Sequence, residues 1–240
     1  MAESHLDTRS RASTRQKESK KQLLSGTNLP RWLDEKLAGV LDKAATKESF
    51  FARIGEIWPC LSKQYLLIER AYDAMERSFR NKMRDNGDQY FEHLRVSALI
   101  AIVHMRVRNA NIICAILMHD CIEDCPDEWN FNRIAAEFNR KIANLVWWVT
   151  KPVANGNNET SDDIDRRYHR RLSKAPRKAL CVKLPERLHN IITIWGQDEA
   201  RIRRKLSETK DFILPLAEKY HMLVHEFEDT MGIVERRLAA

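Results

Sequence analysis

From Leu29 onward apolar residues recur every three to four positions, and no segment keeps the two-residue alternation of a half-buried strand. The helical period marks LPRWLDEKLAGVLDKA, then FFARIGEIW, then QYLLIERAYDAMERSFRNKMR, which stops at the turn signal Asp85-Asn86-Gly87. HLRVSALIAIVHMRV and NANIICAILMH follow as a helical hairpin broken around Arg108-Asn109. NFNRIAAEFNRKIANLVWWVTK carries one helix or a pair, and KPVANGNNETSDD is the clearest loop. DIDRRYHRRL, APRKALCVKLPERLHNIITIW and a final pair from about Glu199 complete the pattern. The expectation is an all-α helical bundle forming a single domain over residues 29–240. Residues 1–28 have Leu as their only large aliphatic type after Met1 and are rich in Arg, Lys and Ser, which predicts a disordered basic tail.

Composition supports this pattern. With 43% hydrophobic residues in 240 the chain can bury one sizeable core, and 7 Gly with 7 Pro are few for a turn-rich β architecture. The formal charge is +7, yet 34 acidic side chains are interleaved with 41 basic ones, so the surface is not uniformly cationic. A phosphate-rich small molecule suits that balance as well as nucleic acid does, and the tail reads as a plain solvated arm before it reads as a nucleic-acid-binding one. The acids Glu3, Asp7 and Glu18 disfavour a transit peptide. No run nears the roughly 18 apolar residues of a membrane span, and no signal-peptide core follows Met1. The expectations are therefore a cytoplasmic location and no membrane partner; the sequence leaves the oligomeric state open. Five cysteines without a CxxC pair read as reduced thiols, with a zinc pair at Cys121 and Cys125 as the lesser alternative.

The candidate chemistry centres on His119-Asp120, where an apolar helical run ends and the acidic stretch CIEDCPDEW begins. An imidazole and a carboxylate side by side at a helix end suit a hard or borderline divalent metal, and His93 with Glu186 can complete a set of two imidazoles and two carboxylates. Glu186, His189 or Asn190, and Thr193 share one helix face by their spacing. A competing pattern pairs Glu186-x-x-His189 with Glu218-x-x-His221, the signature of di-iron bundles. That pattern also needs glutamates from two further helices, and Glu69 and Glu76 fall on one. His221 and His225 read as a surface or interface pair, and His104 as a satisfied core histidine. The basic clusters RRYHRRL and RIRRK suit either phosphate contacts or solvated helix faces.

Taken in order, AYDAMERSFRNKMRDNGDQYFEH, ILMHDCIED, FNRKIANLVWWVTK, VKLPERLHNIITI and SETKDFILPLAEKY resemble the hydrolase half of RelA/SpoT-type alarmone enzymes, a branch of the HD metal-dependent phosphohydrolases. The resemblance covers about residues 70–220 and makes 29–240 an HD-type hydrolase domain with an N-terminal helical extension. It implies that His93, His119, Asp120 and Glu186 hold one divalent metal, manganese. Glu123 and Asp124 would position and deprotonate the attacking water. Arg84 would pack against a guanine base, Asn190 and Thr193 would lie near the nucleoside, and Arg203 would approach phosphate. The implied reaction removes the 3′-pyrophosphate of guanosine tetra- or pentaphosphate, leaving GDP or GTP. No synthetase motif follows the last helices, so the resemblance is to a stand-alone small alarmone hydrolase.

Several positions depart from the family pattern. Glu186 stands for the aspartate of KLADRLHN, and Pro185 for the alanine before it, which predicts a kink because proline removes a hydrogen bond and meets the carbonyl of Cys181. Asp85 stands for a usually basic residue, and Gln89 and Leu94 for prolines. Two further readings stay open on these grounds: an HD phosphohydrolase for another nucleotide, and a catalytically degenerate nucleotide-binding module.

Overall fold

The computed structural model describes residues 46–156 and 159–239, together with Glu35 and Val40. The expected tail over 1–28 and most of the first expected helix lie outside the described residues. Twelve α-helices follow from Lys47: α1 (Lys47–Gly55), α2 (Lys63–Ser78), α3 (Tyr90–Leu99), α4 (Ala110–Leu117), α5 (Cys121–Asp124), α6 (Phe131–Glu137), α7 (Arg140–Val149), α8 (Ser161–Leu172), α9 (Arg177–Ile192), α10 (Glu199–Glu208), α11 (Leu214–Tyr220) and α12 (Val224–Ala239). Among the described residues there is no strand, only isolated bridges at Met83 with Gln89 and Trp195 with Gln197.

Polar caps explain most of the starts. Side chains of Thr46, Ser62, Asn109, Asn130, Asn139, Thr160 and Asp198 each accept a backbone N–H of the first turn of α1, α2, α4, α6, α7, α8 and α10. Asn109 thus supplies the hairpin break expected around Arg108-Asn109. The segment over 130–151 is the helix pair α6 and α7, split where Asn139 caps.

Three boundaries differ from the periodicity. Helix α2 ends at Ser78, six residues before the expected stop. Phe79 stacks on Tyr90, with ring centroids 5.0 Å apart, and the chain turns back so that Tyr90 N–H donates to Lys82 O at 2.9 Å. A tertiary contact therefore overrides a run of good helix formers. Helix α3 continues into a π-helical turn, Ile100–His104. The expected final pair is three helices, because a π-helical turn at Thr209–Ile213 leads into Pro215 at the start of α11.

Helix α9 is the axis of the bundle. Every residue from Ala179 to His189 is buried, and α3, α4, α7, α11 and α12 pack around it. It runs without interruption through Pro185. An interior proline costs about 3 kcal/mol, and burial on all sides offsets that loss here.

Candidate metal centre and active site

Each candidate ligand is placed by a helix end or a helix axis. The apolar helix α4 buries every residue but Asn111, and the backbone then turns at Met118–Asp120 before the single turn of α5. His119 is pinned there by its Nδ1, 2.7 Å from Ile116 O. A carbonyl only accepts, so Nδ1 carries the hydrogen and Nε2 faces inward. Asp120 sits just before α5, and its Oδ2 accepts from Tyr90 Oη at 2.8 Å. His93 lies one turn after Tyr90 on α3 and is 1% exposed; Glu186 comes from the middle of α9 and is 5% exposed.

These side chains converge. Ligand atoms of His93, His119 and Glu186 all lie within 4.8 Å of one another, the one such His/Cys/Asp/Glu group of three or more among the described residues. His93 Nε2 and His119 Nε2 are 3.2 Å apart, and Asp120 Oδ2 is 3.0 Å from the second and 3.9 Å from the first. Donors about 2.1 Å from one octahedral ion sit about 3 Å from each other, so the spacing fits a shared cation. Glu186 Oε2 is buried with no hydrogen bond, although the Lys183 ammonium is 2.7 Å away. A set of two imidazole nitrogens and two carboxylate oxygens at this spacing fits a divalent metal.

The electrostatics agree. Burial resists a charge on His119, but the Asp120 carboxylate overcomes it and raises the imidazole to about 9. Burial likewise pushes Asp120 upward, yet His119 and the Tyr90 hydroxyl draw it down to about 2. The pocket of donors thus favours a positive charge. His93 is pushed well below the usual histidine range by burial and by the Arg84 guanidinium, which keeps it a neutral donor. Glu186 is held below the usual glutamate range: burial opposes this, and Lys183 and Arg187 prevail.

The acidic pair borders this centre. Glu123 retains solvent access, yet the enclosing protein and then the neighbouring Asp120 push it up to about 7, while its Oε1 accepts from Lys151 N–H at 2.5 Å. Asp124 is half-buried, and its carbonyl accepts from Lys82. Arg84, Asn190 and Thr193 are brought together: Arg84 Nη1 donates to Thr193 Oγ1 at 2.8 Å and Nη2 to Asn190 Oδ1 at 2.5 Å. Asn190 Nδ2 in turn donates to Glu186 Oε1, which links this cluster to the candidate ligands.

Arg203 is not among them. It is exposed and pairs with Glu199 of its own helix at 2.7 Å. Two residues on, across the helix, Lys205 is half-buried within electrostatic reach of Glu186, Arg84 and His93, and burial followed by Arg187 draws it down to about 8. Lys205, Lys183 and Tyr90 carry no motif of their own. The available signal was spacing, since Tyr90 precedes His93 and Lys183 precedes Glu186 by three residues.

The competing patterns do not assemble. Cys121 is fully buried, and the Cys125 thiol donates to Ser78 O at 3.7 Å. Glu218 and His221 are exposed, outside the candidate ligand group. His104 pairs with Glu226 at 2.5 Å and is a satisfied histidine. In RRYHRRL, Arg167 clamps Glu159 and Val153 O, Arg171 donates to Thr150 O, and His169 Nε2–H donates to Glu208 Oε1 at 3.0 Å, so the cluster ties down the loop before α8 and the start of the 209–213 turn.

Comparison with known proteins gives consistent results. A family model described as an HD domain matches residues 71–222. A probable chloroplastic GTP diphosphokinase of Oryza sativa subsp. japonica is 31% identical over 161 residues, 64% of this chain and 22% of that protein. The GTP pyrophosphokinase of Streptomyces coelicolor is 32% identical over 164 residues, 67% of this chain and 18% of that protein. The chain therefore spans about a fifth of the length of these relatives. Among solved structures, a metazoan ortholog of SpoT, described as hydrolysing ppGpp, superimposes with a TM-score of 0.62 at 18% identity, over 73% of this chain and 96% of that one. That likeness establishes a shared fold. No helix of the described residues is long and apolar enough to cross a membrane.

Proposed function

The chain belongs to the HD-domain family as a RelA/SpoT-type member, and from that membership we propose that it is a metal-dependent hydrolase of the 3′-pyrophosphate of guanosine tetra- or pentaphosphate. The observation that carries this reading is the pair of inward imidazole nitrogens 3.2 Å apart, with Asp120 and Glu186 beside them and cationic side chains behind. His93, His119, Asp120 and Glu186 would hold the ion, with manganese as the proposed metal. When bound, such an ion lowers the pKa of water and offsets charge on phosphoryl oxygens.

The protein's own groups account for the remaining work. Glu123, at about 7, is poised to accept a proton from water near neutrality, and Asp124 lies next to it to orient that water. Hydrolysis breaks the ester bond between the 3′ oxygen and phosphorus; the water oxygen leaves on pyrophosphate, and the 3′ oxygen takes up a proton. Lys205, lowered to about 8, offers a cation for the diphosphate. Arg84 presents a guanidinium to the nucleoside side, held by Asn190 and Thr193. The carboxylate at position 85 is offset from across the rim: Arg201 Nη1 lies 3.0 Å from Asp85 Oδ2.

The test is pyrophosphate release by the purified chain. With manganese present, guanosine tetraphosphate yields GDP and pyrophosphate, and chelator abolishes the release. Faster turnover of another nucleotide replaces the substrate assignment, and binding without product under manganese overturns the enzymatic one.

A further inference from the structure

Behind the candidate ligands, His93 has a second imidazole neighbour that the proposed chemistry does not use. His93 Nδ1 and His189 Nδ1 are 2.7 Å apart, both residues are buried, and their ring centroids lie 5.0 Å apart with planes tilted by 31°. At that distance two lone pairs repel and two N–H groups collide, so one hydrogen, and only one, lies between the rings. Its position decides whether His93 can bind a cation. With the hydrogen on His189, neutral His93 must carry its own on Nε2, which then points at His119 Nε2 and blocks the centre. With the hydrogen on His93 Nδ1, the Nε2 lone pair is free.

We propose that His189 is a positioning residue that sets the tautomer of His93, accepting its Nδ1–H so that His93 Nε2 is available to a divalent cation. The inference rests on the reading of His93 as a ligand. The protons balance: the two neutral rings hold two hydrogens in either arrangement, on His93 Nε2 and His189 Nδ1 in the blocked one and on His93 Nδ1 and His189 Nε2 in the open one. His119 needs no such partner, because the Ile116 carbonyl already fixes its Nδ1 hydrogen. The two imidazoles are thus oriented by different devices, one a fixed acceptor and the other a ring that can face either way. The acceptor is carried by the same helix as Glu186, three residues later, so α9 supplies a ligand and the tautomer control of another.

The experiment compares His189→Asn and His189→Phe by calorimetric titration of the metal-free full chain with Mn²⁺. An asparagine amide oxygen reaches close to the place of Nδ1 and accepts, whereas phenylalanine fills the ring space and cannot. Tautomer control predicts a loss of about 10- to 100-fold in affinity for the Phe variant and only a few-fold for the Asn variant. A packing role predicts the reverse order, since Asn leaves a void where Phe does not. In ¹⁵N spectra of the wild type loaded with diamagnetic Zn²⁺ in place of Mn²⁺, His93 shows hydrogen on Nδ1, and hydrogen on Nε2 overturns the inference. Wild-type affinity in a folded Phe variant, or equal losses in both, overturns the inference while leaving the metal site intact. Absence of Mn²⁺ binding by the wild type overturns both.

Discussion

At the residue scale, Glu123 makes the sharpest electrostatic prediction. Enclosure by protein, then Asp120, raises it from the ordinary glutamate range to about 7. The folded chain therefore binds more protons than the unfolded one across that interval, and the stability it contributes is present at low pH and lost as pH rises through about 7. In chelator-treated protein, Glu123→Gln and wild type should have matching Tm values at about pH 4, with the variant the more stable at about pH 8. A Tm difference that does not change with pH removes the shift. The residues that sequence alone marks, His93, His119, Asp120 and Glu186, are those whose chemistry is rare and whose partners are reachable from short motifs. Lys205 was hidden behind Arg203 because lysine and arginine are common on helices, and only the helix azimuth tells which one faces inward.

At the element scale, the turn between α2 and α3 is what carries Arg84 to the site. It is clamped from the far side of the chain: Arg201 pairs with Asp85 at 3.0 Å, Gln197 donates to Asp85 at 3.2 Å, and Gly196 sits against the backbone of residues 85 and 86. A Cβ on Gly196 would stand 2.8 Å from Asn86 Cα and 2.9 Å from Asp85 O, and its φ of +111° disfavours any side chain. Gly196→Ala should lower the Tm by several degrees, from strain of about 1–3 kcal/mol, and raise KM more than it lowers kcat. An unchanged KM would show that the clamp does not hold Arg84. Helix positions were legible from periodicity and caps, as with Asn109 before α4 and Thr160 before α8. The early end of α2 was not, because the stacking of Phe79 on Tyr90 is a contact between segments that sequence separates. Helix α9 stays continuous through Pro185, enclosed on every side.

At the scale of the whole molecule, the candidate ligands come from α3, the α4–α5 corner and α9, so one ion would cross-link three separate stretches of the bundle. A ligand that binds only the folded state at 100 times its Kd stabilises by about 2.7 kcal/mol. For a chain of this size that is a rise in Tm of roughly 5–10 °C on adding Mn²⁺, reversed by chelator. No shift would mean that these donors do not share an ion. The all-α class was readable in the sequence because helical periodicity extends over most of its length, whereas the packing order around α9 depends on contacts that no local pattern encodes.

Helix α9 holds Glu186, His189 and Asn190 along a single rigid rod, with Thr193 at its C-cap and Lys183 one turn earlier. Turning or sliding that rod would displace the proposed ion site, the proposed nucleoside contacts and the counter-charge together. Divergence toward a new nucleotide must therefore begin elsewhere, in the 84–88 turn or the first turns of α10, where a side chain can change without retuning the reactive centre. Variant libraries aimed at altered preference belong on those two rims.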